Sequence, residues 1–214
     1  MKKRIALYLA GIIIMSLGLS LNVKAYLGVA PVLTLPHVLS DLLGVEFSNM
    51  LFIFYMLFIV LQFVLNRKQF RPVDLVQFPM GLFITRLVAL FTRLIPTSDA
   101  SALHVKCAVL VLAIIVTGIG VALSVDMKIA PNPADGLAAA IGERLGKGLG
   151  MGKNLLDIST ALIALVISLI FRHGPGPVGF GTIAAGLLVG RVIAFFNARF
   201  REKLEIIAEM RPAR

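Results

Sequence analysis

Two arginines, Arg86 and Arg191, lie inside long apolar segments of this chain. A guanidinium at membrane depth costs roughly 3 kcal/mol even on the lenient insertion scale, so such a residue usually faces protein or water and marks function. Two such side chains could bind an anionic solute or pair with buried acids. The alternative for each is snorkelling, in which the long stem carries the charge to the lipid headgroups.

Four further polar residues are candidates for contact with a solute: Asp157, Asp135, His37 and Gln77. Asp157 follows Lys153 by one helical turn, so it either pairs with that lysine or faces inward as a partner for arginine or a proton. Asp135 suits the positive end of a helix that begins at Asn132. The alternatives are a surface position for His37 and a helix–helix hydrogen bond for Gln77.

The elements that must position these residues are apolar segments of membrane-spanning length. Of the 214 residues, 58% are hydrophobic and 15% are charged, whereas a soluble domain carries roughly a quarter charged residues. One helical crossing needs about 20 apolar residues. Six windows qualify: Ile5–Val23, Met50–Leu65, Val73–Ile95, Val105–Val125, Leu155–Phe171 and Val178–Phe196. The sequence therefore predicts an all-α polytopic bundle, one membrane domain over 1–214, with the lipid bilayer as its partner.

The composition also argues against an enzyme and against nucleic-acid binding. The formal net charge is +10, but the basic residues sit at segment ends and form no single stripe. Cys107 is the only cysteine, which excludes an intrachain disulfide and a cysteine-based metal cluster. The sequence has no Gly-rich phosphate loop, Ser/His/Asp grouping or metal-ligand spacing. We therefore expect no catalytic residue, cofactor or metal.

The positions of lysine and arginine predict that both termini lie in the cytoplasm. The inner side would hold Lys2, Lys3, Arg4, Arg67, Lys68, Arg71, Lys128, Arg144, Lys147, Lys153, Arg199, Arg201, Lys203, Arg211 and Arg214. The outer side would keep only Lys24, Arg93, Lys106 and Arg172. A basic tail over 198–214 would lie on the cytoplasmic surface, against anionic lipid. Met1–Ala25 also resembles a cleavable signal peptide.

An internal repeat favours a structural role for that first segment. Met15–Val23 aligns with Thr117–Val125, and Ala30-Pro31 aligns with Ala130-Pro131. Gly81 and Arg86 of the third segment match Gly186 and Arg191 of the sixth, with Pro72-Val73 and Pro177-Val178 upstream in the same register. The predicted halves are 1–96 and 103–197. Because each half holds three crossings, an odd number, the second half is predicted to be inverted, as in many secondary transporters.

A short helical stretch follows the first crossing of each half. Asn132 and Pro133 predict a helix start, with the helix running to about Gly146 and Gly148–Gly152 forming the turn that follows. The counterpart in the first half is Pro36–Gly44. Both stretches are too short to span a bilayer. They are either re-entrant helices that face a cavity or interfacial helices that link two crossings.

Several motifs of the second half carry a family resemblance. They are Pro133-Ala-Asp135-Gly, the Gly148–Gly152 run, and Gly174-Pro-Gly-Pro-Val-Gly-Phe-Gly181-Thr182 followed by Leu-Leu-Val-Gly190. On these residues the chain resembles the bacterial YczE-like group of membrane proteins and, more distantly, the YitT-like group. The resemblance implies a multi-pass protein of the bacterial plasma (inner) membrane. It implies no substrate.

The repeat and the paired arginines together predict a membrane permease. Its substrate would be a small anionic or zwitterionic solute, carried by alternating access of the two inverted halves. One alternative is a non-transporting accessory or scaffold protein that contacts a partner through its Gly-rich faces. Another is the substrate-binding subunit of a multicomponent importer. A second copy of the chain or a partner membrane subunit is therefore also a candidate partner.

Overall fold

Eight α-helices make up most of the described chain, which comprises residues 1–67, 72–96 and 99–209 of a computed structural model. The helices are α1 (Lys2–Lys24), α2 (Pro31–Leu43), α3 (Phe47–Leu65), α4 (Gln77–Leu94), α5 (Leu103–Asp126), α6 (Pro133–Arg144), α7 (Gly148–Arg172) and α8 (Phe180–Ile207). A 3-10 turn over Pro72–Val76 leads into α4. The predicted all-helical class is confirmed.

Six of these helices are long and apolar enough to cross a membrane: α1, α3, α4 with its preceding turn, α5, α7 and α8. Their outward surfaces carry large apolar side chains, among them Phe180 and Phe195, which are 71% and 73% exposed. Soluble proteins rarely expose contiguous apolar surface on this scale, whereas hydrocarbon accepts it. The prediction of a membrane-like helical bundle is therefore confirmed by helix number, length and surface.

The centre of the bundle is a tight crossing of α1 and α5. A Cβ atom at Gly11, Gly18 or Gly120 would collide with backbone of the facing helix, at Ser124, Thr117 and Met15 respectively. Contacts that move forward along α1 move backward along α5, so the two helices are antiparallel. Glycine permits this approach because it has no side chain to separate the backbones.

The short helices α2 and α6 pack across the two halves. Pro133 at the start of α6 lies against Gly81 of α4, and Pro31 at the start of α2 lies against Gly186 of α8. In the same way α2 packs on α7 and α6 packs on α3. Each connecting helix therefore packs against long helices of the other predicted half.

Backbone conformation repeats between the halves as well. Tyr26 and Lys128 are non-glycine residues in the left-handed region, with φ of 53° and 49°. Gly44 and Gly146 follow α2 and α6 with φ of 65° and 66°. The two residues of each pair are as far apart in the sequence as Met15 and Thr117 are. The pairs therefore follow the predicted alignment of the first and fourth crossings.

The structure corrects three local predictions. The run Gly148–Gly152 is the first turn of α7 and not a connecting turn, because Gly142 and Gly152 let α6 and α7 approach at backbone distance. The first connecting helix begins at Pro31, which places Pro36 inside it. The second ends at Arg144, short of Gly146.

Two further sequence assignments bear on the ends of the helices. The proline that begins α6 is Pro133, so the partner of Pro31 is Pro133 and not Pro131. The last crossing continues to Ile207, and Lys3 lies 3.0 Å from Glu209, so most of the predicted tail is helical and returns to the start of α1. Four residues of the predicted inner side lie outside the described residues: Lys68, Arg71, Arg211 and Arg214.

Candidate solute-binding site

A cavity of about 250 Å³ lies where the two halves meet. Its apolar wall includes Met15 and Leu19 of α1 and Val121 of α5. Its polar lining comes from four helices and one helix cap: Tyr55, Thr117, Asn132, Asp135, Lys153, Asn154 and Asp157. An apolar cavity with a few convergent polar groups is the usual form of a small-molecule site.

The first turn of α6 holds Asp135 in this cavity. The Oδ1 atom of Asn132 accepts hydrogen bonds from the backbone N–H groups of Ala134 (2.9 Å) and Asp135 (3.1 Å), which caps the helix as predicted. The Nδ2 atom of Asn132 donates to the carboxylate of Asp135. The helix dipole also favours a carboxylate in this turn. Asp135 is therefore held in position, with only 9% of its surface exposed.

Lys153 of α7 is the partner of Asp135. Its Nζ atom lies 3.1 Å from Oδ1 of Asp135 and joins α7 to the first turn of α6. One sequence reading paired Lys153 with Asp157, one turn further along α7. In the structure the lysine stem instead reaches across to α6, where its Nζ atom donates a hydrogen bond to Asp135.

Asp157 lines the cavity without an ion-pair partner within 4.0 Å among the described residues. The site thus holds two carboxyl groups and one ammonium group. A carboxylate without a counter-ion in a partly closed apolar site is costly. It marks the place where a cation, a proton or a ligand would complete the charge balance.

Tyr55 of α3 contributes to the cavity lining. The residue is 2% exposed, and its ring packs near Phe58 with centroids 6.5 Å apart. None of the hydrogen bonds within the described part of the chain involves its hydroxyl, although buried tyrosines usually find a partner. This side chain is therefore available to a molecule in the cavity.

The cavity opens between α7 and α8. In the first half α3 packs along α4, but across the described residues α7 and α8 have almost no contact with each other. The α8 wall of the opening is built from Gly186, Val189 and Gly190, and both glycines are exposed. Asn154 is exposed on the α7 side. The opening therefore faces sideways, along the apolar outer surface of the bundle.

With the fold and cavity established, comparison with known proteins assigns the family. The model of a family of unknown function, DUF6198, matches residues 2–198. The chain belongs to the DUF6198 family. It is 27% identical over 197 residues to "Uncharacterized protein YyaS" of Bacillus subtilis (strain 168), which covers 88% of this chain and 90% of that protein. No solved structure matches this chain.

The match to DUF6198 confirms the prediction that the chain belongs to a family of unknown function. It does not confirm the resemblance to the YczE-like or YitT-like groups. It provides no substrate.

The two arginines of the DUF6198 chain do not line the cavity. Arg86 is exposed, and its Nη1 atom donates to Oδ1 of Asn49 at 2.9 Å. Arg191 is exposed on α8, beside an apolar groove that includes Phe195 and Val111. Arg86 lies about two turns from the end of α4, so its stem can extend towards the headgroup region, whereas Arg191 lies near the middle of α8.

Of the other sequence candidates, the structure brings Asp135 and Asp157 together and places His37 and Gln77 elsewhere. Gln77 is fully buried, where its Oε1 and that of Gln62 approach the backbone of Gly136. His37 lines a second, more polar pocket near the end of α1. Lys153, Tyr55 and Asn154 were missed as site residues. One sequence signal could have indicated this site. Lys153 and Asp157 are spaced by one helical turn, and they follow the Asn-Pro-x-Asp sequence that begins α6.

The second pocket contains an ion pair that joins α2 to α7. Arg172 donates to the carboxylate of Asp41, and the imidazole of His37 lies 3.6 Å from the same carboxylate. The imidazole first, and then the guanidinium, hold the pKa of Asp41 below its ordinary value. The matching position in α6 is Glu143, which accepts a hydrogen bond from Asn66 at the end of α3. Each connecting helix is thus tied to the end of a long helix of the other half.

The cavity offers little to a metal ion. Its two carboxyl groups share their space with the Lys153 ammonium, which competes for the same oxygens. Within the described ranges, no group of three or more His, Cys, Asp or Glu side chains could hold a metal. The arrangement suits reversible binding of an organic solute better than metal coordination.

Proposed function

We propose that this chain is a bacterial plasma-membrane permease for a small charged or zwitterionic solute, working by alternating access of two inverted halves. The observation that carries the proposal is the cavity between the halves, with Asp135, Lys153 and Asp157 in its lining. Ionisable groups inside a membrane bundle are rare and usually mark a substrate or ion pathway. Their position between the halves is where transporters of this architecture bind substrate.

The antiparallel crossing of α1 and α5 supports the inverted arrangement. Gly18 faces Thr117, and Gly120 faces Met15. In the predicted alignment Gly18 corresponds to Gly120, and Met15 corresponds to Thr117. Exchanging the two halves therefore turns one contact into the other. The contacts of Gly81 with Pro133 and of Gly186 with Pro31 exchange in the same way. A duplicated plan of this kind gives inward-open and outward-open forms similar energies.

The depth of the cavity agrees with a midplane site. Met15 and Thr117 each lie about 20 Å along their helices from the first residue, at ~1.5 Å per residue. Since α1 and α5 run in opposite directions, this places both side chains near the middle of a bilayer about 30 Å thick. With N-terminus and C-terminus inside, as the lysine and arginine positions favour, Arg172 lies at the outer end and Asn66 at the inner end.

The connecting helices supply a gating geometry. The first half of α6, Pro133–Ala138, is buried in the bundle, whereas Glu143 and Arg144 at its end are exposed. Backbone that enters the bundle in this way is compatible with lipid only where protein or water covers it, which favours a re-entrant position. The Asp41–Arg172 and Asn66–Glu143 contacts would then close opposite ends of the pathway alternately.

Uptake into proteoliposomes tests the proposal. Purified protein would be reconstituted and screened with labelled amino acids, amines, carboxylates and zwitterions, against protein-free liposomes. The expected result is saturable uptake of one solute class. Linking Asp41→Cys to Arg172→Cys in a Cys107→Ala background should abolish that uptake, and reduction should restore it. Absence of protein-dependent uptake across the panel would contradict the proposal.

A partner-dependent function is the second candidate, and the groove beside Arg191 favours it. This groove is lined almost entirely by apolar side chains of α5 and α8, including Ile115 and Phe200. A subunit of a multicomponent importer or an accessory protein would present such a face to another helix. That function predicts co-purification with a membrane partner and no uptake by the chain alone.

A further inference from the structure

We infer, building on the proposed function, that the cavity binds amphipathic amines, with the ammonium group beside Asp157 and Tyr55 and the apolar tail leaving between α7 and α8. The charge, the aromatic surface and the shape of the opening all point to this ligand class.

Charge gives the first argument. Asp135 is already satisfied by Lys153 at 3.1 Å and by its cap residue Asn132. Asp157 has neither an ion pair nor a hydrogen bond among the described side chains, although it lines the same cavity. With one ammonium and two carboxyl groups in the site, a ligand carrying a single positive charge completes the balance, whereas an anion would add a second uncompensated negative charge.

Tyr55 gives the second argument. It is 2% exposed, and its hydroxyl is without a hydrogen-bond partner in the described chain. The face of a tyrosine ring attracts ammonium groups, and its hydroxyl oxygen accepts a hydrogen bond from an amine N–H. Tyr55 comes from α3 and Asp157 from α7, so an amine between them would contact both halves.

The opening gives the third argument. The polar groups of the lining come from α3, α5, α6 with its cap, and α7, whereas α8 contributes only small and apolar residues, among them Gly186, Val189 and Ile193. Beyond its own turn of α8, no atom of the described residues lies within 4 Å of the Cβ position of Gly190, so the lateral exit is open at this point. A fully polar solute would make no apolar contact with the residues at this exit. An alkyl chain would fill it and lie against the acyl chains of the bilayer.

Cysteine protection in lipid nanodiscs tests the inference without requiring transport. Gly190→Cys would be placed in a Cys107→Ala background, with Ile170→Cys on the outer face of α7 as the matched control. Ile170 is 59% exposed and does not line the cavity. Labelling by N-ethylmaleimide would be followed with n-octylamine, n-octanoate or octan-1-ol, which share one tail length and differ in charge.

The expected result is that octylamine slows labelling of Gly190→Cys roughly tenfold at about ten times its dissociation constant. Octanoate and octanol should leave the rate unchanged, and Ile170→Cys should be unaffected by all three. Asp157→Asn should remove the protection and Asp157→Glu should retain it, which separates lost charge from lost folding. Equal protection by octanoate, no protection by octylamine, or protection that survives Asp157→Asn would overturn the inference.

Failure of this inference and failure of the permease proposal give different results. Protection by octylamine without uptake of any solute would retain the ligand class and reject transport. Uptake of an anion without amine protection would retain transport and reject the ligand class.

Discussion

The Nζ atom of Lys153 lies 3.1 Å from Oδ1 of Asp135, and this contact joins the first turn of α6 to α7 inside the bundle. The lysine side chain is 38% exposed and the aspartate side chain 11%. The aspartate is therefore the partner that depends on the contact, because its charge has less access to water.

We predict that Lys153→Met lowers stability more than Asp135→Asn/Lys153→Met does. The single variant leaves a buried carboxylate without its counter-ion, at a cost of roughly 1–3 kcal/mol after allowance for the exposure of Lys153. The double variant removes both charges. Thermal unfolding in detergent, followed by size-exclusion chromatography, would measure the difference. A double variant that is less stable than Lys153→Met would argue against the buried pair.

Two of the glycines at the α1–α5 crossing, Gly18 and Gly120, should respond alike to substitution. Gly18→Ala and Gly120→Ala each place a methyl group against backbone of the facing helix, so each should destabilise by about 1–3 kcal/mol. Gly190→Ala is the control, because its Cβ meets open space. Alanine there should be neutral or stabilise by up to about 1 kcal/mol through helix propensity. Chemical or thermal unfolding would show whether the first two variants differ from the third.

Cross-linking the two ends should trap opposite forms of the protein. Asn154→Cys in a Cys107→Ala background reports access to the cavity, since Asn154 lines it and is exposed. A short bifunctional linker between cysteines at 41 and 172 should leave Asn154→Cys reactive only from the inner side. A linker between cysteines at 66 and 143 should leave it reactive only from the outer side. Membrane-impermeant maleimide added to right-side-out and inverted vesicles would measure both. The same access with either linker would exclude alternating access.

The Asp41–Arg172 contact should contribute stability that depends on pH. The imidazole of His37 and the guanidinium of Arg172 lower the pKa of Asp41 from its ordinary value of 3.8. A lowered carboxyl pKa gives stability that is present above the ordinary value and is lost as the pH falls through the lowered one. Wild type should therefore unfold at a higher temperature than Asp41→Asn at about pH 5, and the difference should shrink towards about pH 3. A difference that grows as the pH falls would contradict this assignment.

The sequence predicted the helices well because membrane-spanning length and apolar composition are local properties. It also predicted the Asn132 cap, since an Asn-Pro-x-Asp start satisfies the first turn from within a few residues. Asp135 and Asp157 were both selected as candidates, but their meeting in one cavity depends on how α6 packs on α7.

The arginines show why site prediction was weaker. The insertion cost of a charged residue implies only that its charge must be satisfied, and the sequence cannot tell whether protein or headgroups do so. Arg86 is satisfied by Asn49 of another helix. Tyr55 was missed because an aromatic residue is ordinary in an apolar helix. Its residue type does not indicate that a cavity lies beside it. The role of Gly148–Gly152 was equally hidden, because it depends on the close approach of α6.

Solute uptake by cavity and arginine variants is the most direct measurement of the central claim that the inter-half cavity is the binding site. Proteoliposomes would contain wild type, Asp157→Asn, Tyr55→Phe or the paired Arg86→Ala/Arg191→Ala variant, at matched protein content. We predict that Asp157→Asn loses most uptake, that Tyr55→Phe shows weaker apparent affinity, and that the arginine variant transports like wild type. Loss of uptake in the arginine variant together with full uptake by Asp157→Asn would contradict the assignment of the cavity.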